Sequence, residues 1–419
     1  MMKRPTVHVI GAGFSGLSAA VHLAATPNAD IIVHESAARA GGRRRSFYDD
    51  ATAMTIDSGC DLVLSSWRSA LAAIEAIGAR AQWREVAPGG IAFADMASGE
   101  RWTLRPNGGP VPWWIFDPRR RAPRTRVKDY WPAARLLLRA PATALLRDYA
   151  PSGGPAAERL WRPFALATLN TDLDRASARL AGAALRETLR GGARPLMPVH
   201  GLARAFVEPA LKTLRRRGVA IRFERRLAAL EFQGEHVAGL EFEHDRIDLA
   251  PGDAVILATP PRVAAALAPG LSAPQEFNGA ISAHFAISPP PGAPPILGIV
   301  NGAFHWMFCG EGRISVAIKD AEASMATPRE DLAADLWRDV AALTGLSDAT
   351  PAWRVIRQRR ATFAATPRED ALRPSLETSW RNLFLAGAYV QNGLPDTLES
   401  AVRSGAAAAE RTRKWLDAP

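Results

Sequence analysis

Residues 6 to 24 read TVHVIGAGFSGLSAAVHLA, and their reading decides the fold. Thr6 to Ile10 form a short, mostly β-branched run, the pattern of a buried parallel strand. Gly11, Gly13 and Gly16 follow at once in the spacing GxGxxG, and a helix is expected from there. The first glycine permits a tight turn, and the second lets backbone approach a pyrophosphate. The third lets the helix pack closely on the strand, with its N-terminus, at Phe14 and Ser15, aimed at the phosphates. The helix is expected to stop near Thr26-Pro27-Asn28. A second strand, DIIVHE (30 to 35), ends in Glu35, about 20 residues beyond the glycines, where a carboxylate would accept both ribose hydroxyls. An acid there favours an adenosine ribose without a 2′-phosphate. The glycines alone are a weak signal; strand, glycines, helix, strand and terminal acid together are a strong one.

The bulk numbers narrow the setting. A chain of 419 residues is long for one small core, so two domains are expected. A hydrophobic share of 47% against 22% charged excludes a disordered chain. The two cysteines, Cys60 and Cys309, lie far apart and give neither a disulfide framework nor a metal-ligand spacing. They fit a reducing compartment, and MMKRPTVHVIGAG has no signal-peptide pattern, so the cytoplasm is expected. No apolar run reaches the roughly 18 residues of a membrane span. The net charge of +10 is partly clustered: PRRRAPRTRVK (118 to 128) carries six cationic groups and no acid. No nucleic-acid recognition motif lies beside it, so nucleic acid is not expected as a partner. A bias towards Arg, Ala and Pro accounts for the charge as a whole.

AGGRRRSF (40 to 47) separates flavin from nicotinamide chemistry. Gly41, Gly42 and Arg43 suit a loop that closes over the same pyrophosphate from the far side, while Arg44 and Arg45 are expected to be solvent-exposed. With this loop the sequence resembles the FAD-dependent amine oxidase and phytoene desaturase superfamily. The resemblance implies an α/β fold: a Rossmann-type FAD-binding domain, its parallel sheet discontinuous in sequence, with an inserted α+β substrate domain. Residues 1–70, 195–265 and 370–419 are assigned to the first, and 71–194 and 266–369 to the second. GLARAFVEPALKTLRRRGVAIRFERRLAALEF (201 to 232) reads as a helix, a stop at Gly218 and two strands. The resemblance places the backbone of Leu227 at the adenine. LFLAGAYVQNGLPDTLES (383 to 400) reads as a strand ending at Gly387, then a helix with Asp396 as N-cap. The resemblance implies that backbone amides around Thr397, Leu398 and Glu399 face the flavin, where the positive end of the helix dipole would stabilise its reduced form. Relatives usually carry an aspartate after the glycine that touches the cofactor; this chain has Ala388.

LWRPFALATLNTD (160 to 172), GGARPLMPVHGLARAFVEPAL (191 to 211), RQRRATFAATP (357 to 367) and NGLPDTLESAVRSGAAAAE (392 to 410) narrow the resemblance further, to the hydroxysqualene dehydroxylase family of bacterial hopanoid pathways. It implies a polyisoprenoid substrate, reduction of hydroxysqualene to squalene by hydride from reduced FAD, and an electron donor whose identity the sequence leaves open. Such a site needs an apolar tunnel, a proton donor and exclusion of bulk water. Asp57, Asp61, His200 and His305 are the candidate donors, and Asp57 also reads as a turn acid ending a strand. Trp113, Trp114, Phe116, Phe164, Trp306, Phe308 and Phe363 are suitable wall material, with plain core packing the commoner role for each. Residues 111–147 combine aromatics, the basic run and RLLLRAPATALL. They read either as a peripheral dock on an anionic membrane, at the inner face of the cell membrane, or as an exposed basic loop. An oxidising polyisoprenoid desaturase and a non-catalytic flavoprotein partner in a lipid-synthesis complex are the competing functions. An amine oxidase fits less well, because its aromatic cage is not recognisable.

Overall fold

The computed structural model describes residues 4–26, 28–107, 111–138, 140–189 and 194–417. Pro27, Arg139 and residues 191 to 193 of the stretches quoted above lie outside them. Thr6–Ile10 is the central strand of a five-stranded sheet. Its order is Ala220–Arg222, Asp30–His34, Thr6–Ile10, Ala254–Leu257, Leu383–Leu385, and every pairing is parallel. The chain winds outward from the centre in both directions, the doubly wound arrangement of a dinucleotide-binding fold. Strands covered on both faces read as continuous apolar runs, and every residue of Ala254–Leu257 and of Leu383–Leu385 is buried.

The helix after the glycines, Phe14–Leu23, packs along the C-terminal helix Leu398–Leu416. Glycine permits this contact: a Cβ on Gly405 would lie 2.1 Å from the Ser15 carbonyl oxygen. Glu208–Arg216 packs on the same N-terminal helix. It opens with a wide π-type turn over Ala203–Val207 and stops at Gly218, whose φ of +76° is the left-handed helix end.

A seven-stranded sheet builds the other half. Its order is Trp353–Phe363, Phe277–Phe285, Arg313–Lys319, Trp306–Gly310, Ile296–Val300, Ile91–Asp95, Arg101–Leu104. All pairings are antiparallel except that between Ile296–Val300 and Ile91–Asp95. Helix Arg329–Thr344 covers one face, burying Leu332, Leu336, Trp337 and Val340 at helical spacing, with Trp337 against Phe285. Among the described residues no helix is long and apolar enough to cross a membrane.

Two expectations from the sequence need correction. Arg44 is not a solvated arginine: its side chain is 15% exposed and its Nε lies 3.0 Å from Asp61 Oδ1. Asp396 does not cap the C-terminal helix. Thr397 does, its Oγ1 accepting from Ser400 N at 3.1 Å. A threonine hydroxyl reaches the amide three residues on, in the first turn, as a carboxylate does, and the carboxylate of Asp396 is engaged elsewhere.

Candidate functional site

The glycine turn is a cradle with no room for side chains. Gly11 has φ of +112°, and a Cβ there would fall 2.5 Å from the Ala258 carbonyl oxygen. Gly13 is the N-cap of Phe14–Leu23 without any side-chain cap, and a helix's first-turn amides have no partner within the helix. The second glycine turn faces the first. Gly41 N donates to Ala12 O at 2.9 Å, and a Cβ on Gly42 would lie 3.1 Å from Gly13 Cα. Glu35, buried at the end of the second strand, accepts from Ala12 N at 2.7 Å and Ala37 N at 2.9 Å. Two bare turns, an uncapped helix start and a buried acid suit the phosphate and ribose of a flavin nucleotide. Leu227 opens the strand Leu227–Gln233, its side chain buried in an adjoining core.

Arg43 reaches away from the glycine turns. Its Nη1 and Nη2 donate to Asp396 Oδ2 and Oδ1 at 2.8 and 2.9 Å, and Nη1 also to Ala361 O at 2.6 Å. Burial alone would push the Asp396 carboxyl up. The charge and hydrogen bonds of Arg43, with Arg44 and the Phe363 amide, outweigh it and hold the group below its ordinary value.

Beside this pair the 387–390 turn is tied down from within. Gly387 N donates to Ser404 Oγ at 3.0 Å, and Ala388 is buried, its carbonyl accepting from Ser400 Oγ at 3.1 Å. Arg373, its side chain fully buried, donates to the carbonyls of Ala388, Tyr389 and Val390 and to Asp370. The sequence reading missed Arg373, and LRPS (372 to 375) offers no motif that would have found it. Glu399 turns its carboxylate from the cavity to cap Arg68–Ala76, accepting from Ala70 N at 2.8 Å, and pairs with Arg403.

A cavity of about 660 Å³ adjoins this wall, within the roughly 300–1,000 Å³ typical of ligand pockets. Leu62, Phe93, Phe164, Trp306 and Phe308 are among its apolar walls, and Pro395 to Glu399 close one side. A small side cavity shares Arg44, Cys60, Asp61, Asn170, Lys319 and Thr362 with it, while Arg159, Glu187, Thr188 and Arg194 line the large cavity apart from that cluster. Of the four candidate donors only Asp61 lines this space. Asp57 is buried elsewhere and pins a turn, accepting from Leu202 N at 3.0 Å and from the Ser46 hydroxyl; burial pushes its carboxyl up against those bonds. His200 is exposed and outside the lining. His305 accepts from Lys319 N at 3.0 Å, and burial followed by the charge of Lys319 lowers its ring to about 4. An imidazole so depressed is neutral at neutral pH, and its remaining N–H is too weak an acid to protonate an alcohol.

Lys319 is the other group the sequence reading passed over. It ends the strand Arg313–Lys319 beside Asp61, and among the described residues its ammonium forms no ion pair. Alternation along RISVAIK was the available signal, since it puts a lysine at the end of a buried strand. Burial pushes the neighbouring Cys60 thiol up to about 12, so it is inert. The other candidate wall residues divide: Trp114 packs edge-on against Tyr130, Phe363 lies in the core under Arg373, and Trp113 and Phe116 are exposed.

Across residues 14–412 the chain matches the family described as flavin containing amine oxidoreductase, and it is a flavin-dependent oxidoreductase. Solved structures agree on the fold. Putrescine oxidase bound to putrescine superposes with a TM-score of 0.71 at 15% identity, covering 97% of this chain and 99% of that one. Cyclohexylamine oxidase from Brevibacterium oxydans IH-35A gives 0.70 at 16%, covering 99% and 100%. Among curated proteins the chain is 44% identical over 409 residues to hydroxysqualene dehydroxylase of Rhodopseudomonas palustris, covering 97% of each. It is 45% identical to that of Sinorhizobium fredii over 96% of this chain and 97% of the relative. The chain belongs to the flavin containing amine oxidoreductases and, within them, to the hydroxysqualene dehydroxylase family.

Proposed function

We propose that this chain binds FAD and reduces hydroxysqualene to squalene. The observation that carries the reading is the cavity, whose walls are mostly apolar and which holds a polar cluster around Asp61 and Lys319, as a long hydrocarbon bearing a hydroxyl requires. Gly11, Gly13, Phe14, Ser15, Gly16, Glu35, Gly41, Gly42 and the backbone amide of Arg43, whose guanidinium is engaged by Asp396, would hold the dinucleotide, and Leu227 its adenine. Gly387, Ala388, Thr397, Leu398 and Glu399 would line the flavin. When bound and reduced, FAD supplies the hydride. Lys319 donates a proton to the hydroxyl, which leaves as water, and the amine is left neutral. The Asp61 carboxylate, held by Arg44, offsets the positive charge left on the allylic carbons. The hydrocarbon walls keep out water that would recapture that cation. The five-stranded sheet and its helices form the cofactor domain in this reading, and the seven-stranded sheet with the 111–189 helices the substrate domain. A separate electron donor reduces the flavin.

The substrate is insoluble, and the 111–147 region serves as a peripheral membrane dock, bringing the protein to the cytoplasmic membrane face. Six of the nine exposed large apolar side chains among the described residues fall between Val111 and Leu138. Trp113, Phe116, Trp131 and Leu138 are each 60% exposed or more, beside the cationic run. Incubating the dithionite-reduced protein anaerobically with hydroxysqualene, with products read by mass spectrometry, tests the reaction. Squalene formation is expected, and its absence overturns the reading.

A further inference from the structure

A second cavity, about 300 Å³, shares Pro88, Gly90 and Pro106 with the large one and is lined by Arg105, Arg119 and Arg120. Backbone bonds bring the arginines together. Arg105 N donates to Arg120 O at 2.9 Å, and Arg120 Nε donates to Arg105 O at 3.1 Å. Gly90, at φ +112°, lets them lie flat on the 88–90 turn, since a Cβ there would fall 2.4 Å from Leu104 O and 2.8 Å from Arg105 Cγ. Asp117, the one acid in the lining, accepts from the Arg119 backbone N at 2.9 Å. None of the three guanidinium groups forms an ion pair among the described residues, whereas the nearby Arg124 pairs with Glu100 at 3.3 Å.

Three guanidinium groups share this hollow with the single carboxylate of Asp117, so a net positive charge is left for an anion, and guanidinium forks match phosphate oxygens. The hollow lies on the chain segment that carries the exposed Trp113 and Phe116, and its wall is also the wall of the apolar cavity. We propose that Arg105, Arg119 and Arg120 form a phosphate site for a lipid headgroup, which holds the wall shared with the apolar cavity against the bilayer. The inference rests on the membrane dock proposed above and adds a defined phosphate-binding anchor to it. Aromatic insertion sets the depth, and the headgroup site sets the orientation.

The test is partitioning of the FAD-loaded protein onto phosphatidylcholine vesicles with and without phosphatidic acid. Each basic group at an anionic surface is worth about a factor of five, so Arg105→Gln, Arg119→Gln and Arg120→Gln together should cost roughly a hundredfold of the phosphatidic-acid increment. Binding to neutral vesicles should persist. The control neutralises Lys212, Arg215 and Arg216, exposed on the Glu208–Arg216 helix of the nucleotide half. Equal losses in both variants would mean diffuse charge and overturn the site. Unchanged melting temperature and flavin absorbance exclude misfolding as the cause. A calorimetric titration with inorganic diphosphate separates the sources: tight binding lost in the triple variant, with no phosphatidic-acid increment, assigns a soluble anion and overturns the lipid headgroup. Absence of wild-type binding to any vesicle defeats the membrane dock itself, and the diphosphate titration then decides whether the three arginines bind phosphate.

Discussion

Arg43 and Asp396 meet in a two-point ion pair that ties the second glycine turn to the start of the C-terminal helix. The partners are unequal, since the Asp396 side chain is 4% exposed and that of Arg43 is 37%. Arg43→Met therefore leaves a buried carboxylate facing only Arg44 and the Phe363 amide, whereas Asp396→Asn leaves a cation that can turn to water. Breaking a buried pair costs about 3–5 kcal/mol when the charge left behind stays buried. Arg43→Met is expected to fall near the low end of that range and Asp396→Asn well below it. Urea unfolding of both variants checks the order, and flavin absorbance per protein should drop more in Arg43→Met.

Lys319 and Asp61 make a kinetic prediction. General acid catalysis contributes about 10²–10⁴-fold, so Lys319→Met should lose turnover of hydroxysqualene by that order while keeping its flavin. Asp61→Asn should also lose turnover, whereas His200→Gln, on an exposed loop outside the cavity, should not. Single-turnover assays with the pre-reduced enzyme separate these effects from reduction of the flavin.

Arg373 organises backbone and lines none of the cavities described above. Arg373→Met removes donors from three carbonyls and leaves Asp370 with Arg179 alone. A loss of about 3–5 kcal/mol is expected, with flavin release, because the 387–390 turn loses its support. Arg373→Lys should restore only part, since one ammonium cannot serve carbonyls on several sides.

Stability should depend on pH on the acid side. Burial is the leading cause lowering His34 and His284 to about 3 and His305 to about 4. Between those values and the ordinary 6.5 of an unfolded histidine, the unfolded chain binds more protons. Folding stability from these groups is thus complete above about pH 6.5 and lost as pH falls, at about 1.4 kcal/mol per unit for each histidine. Melting curves from pH 7 down to 4 should show the midpoint falling steadily, and His34→Gln should flatten the slope.

The local signals in the sequence were legible where one residue type answers one geometric need. Gly11 and Gly16 admit no Cβ, and Gly218 ends its helix in the left-handed region, so each could be read from spacing alone. What escaped depends on partners distant in sequence. Arg44 looks like its neighbours Arg43 and Arg45 until the fold sets Asp61 beside it. Asp396 satisfies the N-cap pattern locally, but Arg43, 353 residues away, takes its carboxylate and Thr397 caps instead. His305 and Asp57 have the right chemistry for acids, and their burial and hydrogen bonds, which sequence does not show, remove them from the cavity.

The contact between Gly405 and Ser15 has a consequence for how the chain is made. The glycine turn is synthesised long before Leu398–Leu416, so the helix behind it lacks that packing partner until then. The strand Leu383–Leu385, which completes the sheet, is equally late. Pairing across such sequence separation is slow and leaves apolar strand faces uncovered meanwhile. A chain truncated before residue 383 would lack both the Leu398–Leu416 helix and the strand Leu383–Leu385, and would leave one edge of the sheet and one face of the Phe14–Leu23 helix uncovered.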